Sequence, residues 1–385
     1  MKITHVVRQF CPSVGGLEAS VLNLAANQRN RLALDANVVT LDRVFGSADV
    51  LLPKEEIVDG VPVRRLPWRG STRYPLAPSV LAHLHAADII HVHAVDFFFD
   101  FLALTRPLHK QPMIASTHGG FFHTGDFNLL KKIWFNTVTR LSVLGYHRVV
   151  ACSHADAELF QNVAGERLRV IENGIDQRRF ADAASHTSTK TIICFGRFAA
   201  HKRIAALFAL LAELRRKDTE WRLILAGRDA DQTSLELRAL ANAAGVADAL
   251  NLVEGPSDAE LRDLIGQASY FACLSAYEGF GLAAVEAMSA GLYPVLSSIP
   301  PFRRFIGNAG IGLVVDPDRP ADAAEALANA VSNDEDTYNS RRVRIADAVR
   351  QYDWSEVATE YVKLYKEAIG TPGRALSPGR VGLET

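Results

Sequence analysis

Two glutamates eight positions apart, Glu278 and Glu286, bracket the run Gly279-Phe280-Gly281-Leu282. The apolar stretch Tyr270–Ser275 before them reads as a buried strand. The stretch Leu282–Ala290 after them reads as a helix, closed by Gly291 at a position that favours left-handed backbone. The two glycines of the run therefore fall at a strand-to-helix turn, where free backbone N–H groups and the positive helix end can receive a phosphate. Two carboxylates flanking one phosphate cradle match a nucleotide sugar, which carries hydroxyl-rich rings on both sides of its diphosphate.

Cations stand where such a ligand needs them. Phe195-Gly196-Arg197-Phe198 ends another apolar strand, and His201-Lys202 opens the next helix. Arg197 offers a planar fork and Lys202 a point charge for phosphate oxygens. Charge gathering on a departing diphosphate is stabilised by fixed donors, at about 3–4 kcal/mol per well-placed donor. As surface salt-bridge partners the same two side chains would contribute little. Nearer the amino terminus, the strand Ile3–Val7 leads through Pro12-Ser13-Val14-Gly15-Gly16 into a helix. Gly15 and Gly16 there permit close backbone approach to an anion or sugar, or simply a tight turn. His118 ends the strand Met113–His118 and precedes Gly119-Gly120. It points to a sugar contact, with general-base work or a structural role as alternatives. His91 and His93 share one strand face without a carboxylate or cysteine at metal spacing, so they read as structural and no metal site is expected.

The elements that position these groups alternate. Strand candidates recur at Ile3–Val7, Ala36–Leu41, Val63–Leu66, Asp88–His93, Met113–His118, Arg148–Ser153 and Arg169–Glu172. They resume at Thr191–Phe195, Trp221–Ala226, Leu250–Glu254, Tyr270–Ser275, Tyr293–Ser298 and Gly312–Asp316. Most are near-continuous apolar runs, as parallel strands covered on both faces require. Helical stretches such as Leu17–Gln28, Lys202–Arg216 and Ser257–Gln267 separate several of them. The pattern predicts an α/β fold of two doubly wound parallel-sheet domains, with ligands at the strand carboxyl ends and a cleft between the domains. The polar stretch around residues 181–190 divides them: 1–180 and 190–350, then a helix over 351–370 that would pack back on the first domain, then a tail, 371–385.

Composition excludes several classes. With 385 residues, 48% hydrophobic and 22% charged, the chain is an ordinary globular protein. Four cysteines lack metal-ligand spacing and read as reduced thiols, with Cys11 the one loop cysteine that could act as a nucleophile. No apolar run approaches a membrane span of roughly 18–20 residues, and no signal-peptide core is seen at the start. Net charge is −1, yet the first 150 residues carry 16 Lys and Arg against 11 Asp and Glu. A basic first half suits an acidic or membrane-surface partner, with random surface charge as the alternative, and no nucleic-acid partner is expected.

Taken together, Gly15-Gly16, His118, Glu172-Asn173-Gly174-Ile175-Asp176, Gly196-Arg197 with Lys202, and the E-x7-E segment resemble family 4 retaining glycosyltransferases of the GT-B fold. Val6–Phe10, Thr40–Phe45, Ser116–Thr124 and Ala283–Gly291 look like the α-mannosyltransferases of xanthan and acetan assembly within that family. The resemblance implies Rossmann-like domains, GDP-mannose as donor and a polyprenyl-diphosphate-linked cellobiose as acceptor, joined α-1,3 in exopolysaccharide biosynthesis. It implies no further cofactor, and a peripheral place on the cytoplasmic face of the inner membrane. By the same resemblance Glu278 meets donor-sugar hydroxyls, and the backbone of Phe280, Gly281 and Leu282 lies near sugar and phosphates. Glu286 binds ribose, Arg197 and Lys202 hold the diphosphate, Gly16 approaches it, and His118 faces the sugar. The base falls near Arg228 and Glu254–Ser257. Arg203 departs from the glycine that commonly follows the motif lysine.

The acceptor side is written in two basic-aromatic patches. One comprises Arg64, Arg65, Trp68, Arg69, Arg73 and Tyr74; the other is the helical stretch 129–135. They suit a lipid diphosphate at an anionic surface, or a solvated face with snorkelling stems. Other readings are a UDP-glucose-dependent transferase of the same family, an NAD-dependent oxidoreductase, and a non-catalytic sugar-nucleotide binder. The missing Gly-x-Gly-x-x-Gly fingerprint speaks against the dehydrogenase.

Overall fold

The computed structural model describes residues 1–13, 15–45, 50–119, 132–330 and 335–370. The chain divides into two units, residues 1–174 with 354–385, and residues 175–353.

Among the described residues, the sheet of the first unit holds β1 (Lys2–Val6), β2 (Asp35–Leu41), β3 (Glu55–Val58), β4 (Val61–Leu66), β7 (Ile89–His93), β8 (Met113–Ser116), β9 (Arg148–Ala151) and β10 (Leu168–Val170). A separate two-stranded ribbon pairs β5 (Arg69–Ser71) with β6 (Tyr74–Leu76). The large sheet runs β10-β9-β8-β7-β1-β2-β4-β3, parallel except for β3 against β4. β7 is buried throughout, and its period of two sends Ile90 and Val92 to one face while His91 and His93 occupy the other. Helices α1 (Gly16–Asn30) and α2 (Phe97–Leu104) follow β1 and β7, and α3 (His154–Ala164) follows β9. The histidine face belongs to a core that includes Ile3, Val21, Leu24 and the last described helix, Trp354–Gly370. That helix buries Val357, Tyr361, Leu364, Tyr365 and Ala368, the stripe that helical spacing dictates. Each large side chain buried this way contributes on the order of 2 kcal/mol.

The second unit has a wholly parallel sheet in the order β13-β12-β11-β14-β15-β16. Its strands are β11 (Thr191–Phe198), β12 (Arg222–Asp229), β13 (Leu250–Glu254), β14 (Tyr270–Cys273), β15 (Tyr293–Ser297) and β16 (Leu313–Val315). Helix α4 (Ile204–Lys217) follows β11 and α5 (Leu282–Ser289) follows β14. The chain builds outward from β11 through β12 to β13, then crosses to β14 and builds the other way. The strand order therefore reverses between β11 and β14, and the loops leaving those two strands diverge to opposite faces.

The short strands β3, β5 and β6 have no counterpart in the sequence reading. They lie at an edge or in a ribbon, where one exposed face leaves no continuous apolar run. Residue 120, residues 129–131 and the tail 371–385 lie outside the described residues.

Candidate active site

The reversal between β11 and β14 assembles the chemistry of the second unit. Lys202 stands just past β11 and Glu278 just past β14, and Lys202 Nζ donates to Glu278 Oε1 at 2.5 Å. Both side chains are largely shielded from solvent. Ser275 Oγ donates to the same carboxylate oxygen at 2.8 Å, and the Ala276 N–H donates to the His201 carbonyl at 2.8 Å. The two loops are thus stitched together by backbone as well as by charge. Burial works against the Lys202 ammonium, but the neighbouring Cys273 and the charge and hydrogen bond of Glu278 outweigh it, so Lys202 titrates above its ordinary value.

Arg197 and Arg228 occupy register-matched positions at the carboxyl ends of the paired strands β11 and β12. Both are exposed, and among the described residues neither guanidinium has a hydrogen-bond or ion-pair partner. Adjacent parallel strands lie about 5 Å apart, so two guanidinium stems rise side by side. Such a pair is a receptor for a multiply charged anion, which would relieve the repulsion and use both forks.

Helix α5 opens without a side-chain cap, so its first N–H groups are available to a ligand. Gly281 sets this geometry: its φ is +96°, and a Cβ there would meet the Phe302 ring at 2.7 Å. Phe280 is buried edge-on against Phe305 and Tyr352, so its side chain anchors the turn and its backbone is the part left to face a substrate. Leu282 is half exposed.

Glu286 lies one turn into α5, where Arg179 Nη1 donates to its Oε1 at 2.9 Å. Arg179 also forks onto Asp258, at 3.0 and 2.5 Å. Burial raises the Glu286 carboxyl above the ordinary range, Arg179 pulls against it, and Asp258 and Asp176 add to the rise. Arg179 was missed from the sequence: it precedes the domain's first strand and belongs to no run that marks a site. Arg203, at φ +51°, pairs instead with Asp318.

In the first unit, Gly15 and Gly16 form the exposed entry to α1. A Cβ on Gly16 would meet no protein atom within 4 Å, so packing within the chain does not require a glycine there. His118 stands two residues past β8 in left-handed backbone, φ 53°. Asp156 Oδ2 holds the segment by accepting from Thr117 Oγ1 and from the Gly119 N–H, each at 2.9 Å. Both ring nitrogens of His118 are turned inward, Nε2 to His93 Nδ1 at 2.9 Å and Nδ1 to the Cys152 thiol at 3.6 Å. Burial lowers its pKa to about 4, so the imidazole is neutral.

His5, His91 and His93 bring ring nitrogens within 4.8 Å of one another, a spacing that could hold a metal. Every one of those nitrogens already has a hydrogen-bond partner in the protein. Any ion would have to displace those bonds.

The two basic-aromatic patches fare differently. Arg65 is buried and bonds the Cys11 carbonyl and Glu56, while Arg64 pairs with Glu55. Trp68 is buried beneath the Arg43 guanidinium. Arg65 and Trp68 are therefore internal, while Arg64, Arg69 and Arg73 stay exposed. In the second, Ile133 and Trp134 are exposed, and Trp134 joins Phe101, Leu104 and Leu141 along an apolar groove edged by Arg106 and Lys110.

Residues 14–179 match the Glycosyltransferase Family 4 domain family, and residues 176–351 match Glycosyl transferases group 1. The chain is 56% identical over 370 residues to a GDP-mannose:cellobiosyl-diphosphopolyprenol alpha-mannosyltransferase of Komagataeibacter xylinus, covering 96% of this chain and 94% of that one. It is 47% identical to the protein of the same name from Xanthomonas oryzae pv. oryzae, over 97% and 98% of the two chains. Among solved structures it resembles a glycosyltransferase from Rickettsia africae at TM-score 0.72 and 16% identity, covering 96% and 98%. It also resembles sucrose-phosphate synthase from Thermosynechococcus elongatus at TM-score 0.68 and 18% identity, covering 96% and 99%. A dehydrogenase reading falls with these matches. Two parallel-sheet α/β units, the uncapped helix start and cations at the second unit's strand reversal and matches along nearly the whole chain agree: it belongs to the family 4 glycosyltransferases of the GT-B fold.

Proposed function

We propose that this enzyme moves an α-mannosyl group from GDP-mannose to a cellobiosyl unit carried on polyprenyl diphosphate, forming an α-1,3 bond in exopolysaccharide assembly. The near-full-length identity to the Komagataeibacter xylinus transferase carries this reading. The geometry of the second unit supports it. Arg197, Arg228, Lys202 and the uncapped start of α5 receive the diphosphate. Glu278, held by Lys202 and Ser275, accepts from mannose hydroxyls, and Glu286, oriented by Arg179, accepts from ribose hydroxyls. Gly15, Gly16 and His118 are the first unit's own candidates for contact with a nucleotide sugar. No metal or further cofactor enters the scheme.

Retention follows a front-face course in this proposal. The bond from the anomeric carbon to the diphosphate oxygen breaks, and the acceptor hydroxyl adds on the same face. Its proton passes to the departing diphosphate, whose charge the cations and N–H donors stabilise. A trapped covalent sugar–enzyme adduct at any Asp or Glu would overturn this course.

On the acceptor side, the groove along Phe101, Leu104, Trp134 and Leu141 offers apolar surface, and Arg106 and Lys110 offer charge to an anionic lipid surface. No helix among the described residues is long and apolar enough to cross a membrane. We place the enzyme peripherally at the cytoplasmic face of the inner membrane.

The test is incubation of purified protein with labelled GDP-mannose or UDP-glucose and a short polyprenyl-diphosphate cellobiose. Mannose incorporation alone is expected. Incorporation only from the UDP-sugar overturns the donor assignment.

A further inference from the structure

Nine side chains of the first unit close a ring of hydrogen bonds beneath His118. One arm runs from Gln28 Oε1 to His5 Nε2 at 2.8 Å, from His5 Nδ1 to His93 Nε2 at 2.9 Å, and from His93 Nδ1 to His118 Nε2 at 2.9 Å. It ends where His118 Nδ1 meets Cys152 Sγ at 3.6 Å, within ordinary reach of sulfur. The other arm leaves Gln28 Nε2 for Tyr365 Oη at 3.1 Å and continues to His91 Nδ1 at 2.8 Å. From His91 Nε2 it reaches Ser116 Oγ at 2.8 Å, and then Tyr361 Oη at 2.9 Å. Tyr361 and Ser116 both hydrogen-bond the Cys152 thiol, which closes the ring.

Donor counting fixes the protons. A neutral imidazole has one N–H and one lone pair, and a hydroxyl or thiol can donate once while accepting. Gln28 presents its oxygen to His5, so His5 donates from Nε2 and accepts at Nδ1. His93 must then donate from Nε2, His118 likewise, and Cys152 supplies S–H to His118 Nδ1. Around the other arm Gln28 donates to Tyr365, Tyr365 to His91, His91 from Nε2 to Ser116, Ser116 to Tyr361, and Tyr361 to sulfur. Every side chain gives once around the ring, the sulfur accepts in addition from the His118 backbone N–H, and all four histidines carry the proton on Nε2. Turning the Gln28 amide over reverses every bond together, so no single histidine can change tautomer alone. An imidazolium anywhere in the ring would place two donors face to face.

We infer that Cys152 is a positioning residue for the transfer reaction, holding His118 as a neutral Nε2–H imidazole that serves the first unit's sugar contact and takes no proton. The inference rests on the donor reading above only for where His118 acts. The thiol is the one link between the two arms on the His118 side, and the His118 backbone N–H also faces the sulfur. Serine could replace both its donor and acceptor functions; alanine could replace neither.

The test combines imidazole 15N NMR of the full-length protein with kinetics of Cys152→Ala and Cys152→Ser. In the wild type, His5, His91, His93 and His118 are expected in the same Nε2–H tautomer from pH 5.5 to 8. In Cys152→Ala, His118 should show mixed tautomers and begin to titrate in that range. Its kcat should fall roughly three- to tenfold, the worth of one hydrogen bond, with KM for GDP-mannose unchanged. Cys152→Ser should restore both readouts. A wild-type His118 protonated on Nδ1, or a Cys152→Ala protein with wild-type tautomers and rate, overturns the inference. Should Cys152→Ala not fold, Cys152→Val removes the same donor while filling the space, and an unchanged His118 spectrum there counts equally against it. An enzyme inactive on GDP-mannose but with the four tautomers aligned would sink the donor reading and leave the ring intact.

Discussion

Arg179 spans two carboxylates, Glu286 at 2.9 Å and Asp258 at 2.5 Å, and so fixes the glutamate assigned to ribose. Arg179→Gln removes the charge that opposes burial at Glu286, and the carboxyl pKa rises further. The sign follows directly: protonated Glu286 cannot accept from two hydroxyls, so donor affinity falls as pH drops through that pKa. Calorimetric titration of GDP-mannose should show about tenfold weaker binding in the variant, with the deficit growing as pH is lowered.

Lys202 and Glu278 depend on one another across the strand reversal. Lys202→Met keeps the stem but loses the cation facing the leaving diphosphate, so kcat should drop roughly 10²–10³-fold. Steady-state turnover measures this. A drop below threefold would remove Lys202 from the reaction.

Gly16 and Gly281 separate substrate contact from packing. Gly16→Ala meets no protein atom, so its melting temperature should hold or rise slightly while donor affinity declines. Gly281→Ala forces left-handed backbone on alanine and drives Cβ into Phe302, costing on the order of 2–3 kcal/mol. Thermal melts and donor titrations of both variants check the contrast.

His5 makes the first unit acid-sensitive. Burial lowers its pKa to about 4 from 6.5, so between those values the unfolded chain binds a proton that the folded chain refuses. Stability is therefore full above pH 6.5 and is lost as pH falls towards 4, by roughly 3 kcal/mol from this group. Chemical denaturation at pH 7 and pH 4.5 should show the loss, and His5→Gln should remove this group's share while His91, His93 and His118 keep theirs.

Leu104 and Leu141 are exposed along the apolar groove of the first unit. Changing both to Asp should weaken sedimentation with anionic vesicles at least fivefold and leave GDP binding unaltered. Unchanged vesicle binding would detach this groove from the membrane.

Parallel strands buried on both faces write themselves into the chain as continuous apolar runs. The principal strands from β1 to β16 could therefore be placed within a few residues, and so could α5 with its left-handed Gly291. The glutamate pair, Arg197 and Lys202 could be placed at strand-to-helix turns for a related reason: such a turn is built from contiguous residues, and contiguity is what a sequence displays. Tertiary structure alone decided what those groups touch. Arg179 reaches Glu286 across 107 positions, and the histidine ring joins Gln28 to Tyr365 across 337. Arg65 and Trp68, which read as surface charge and surface aromatic, turned out to be interior. Hydrogen bonds between side chains depend on where separate strands come to lie side by side, and local composition carries no record of that pairing.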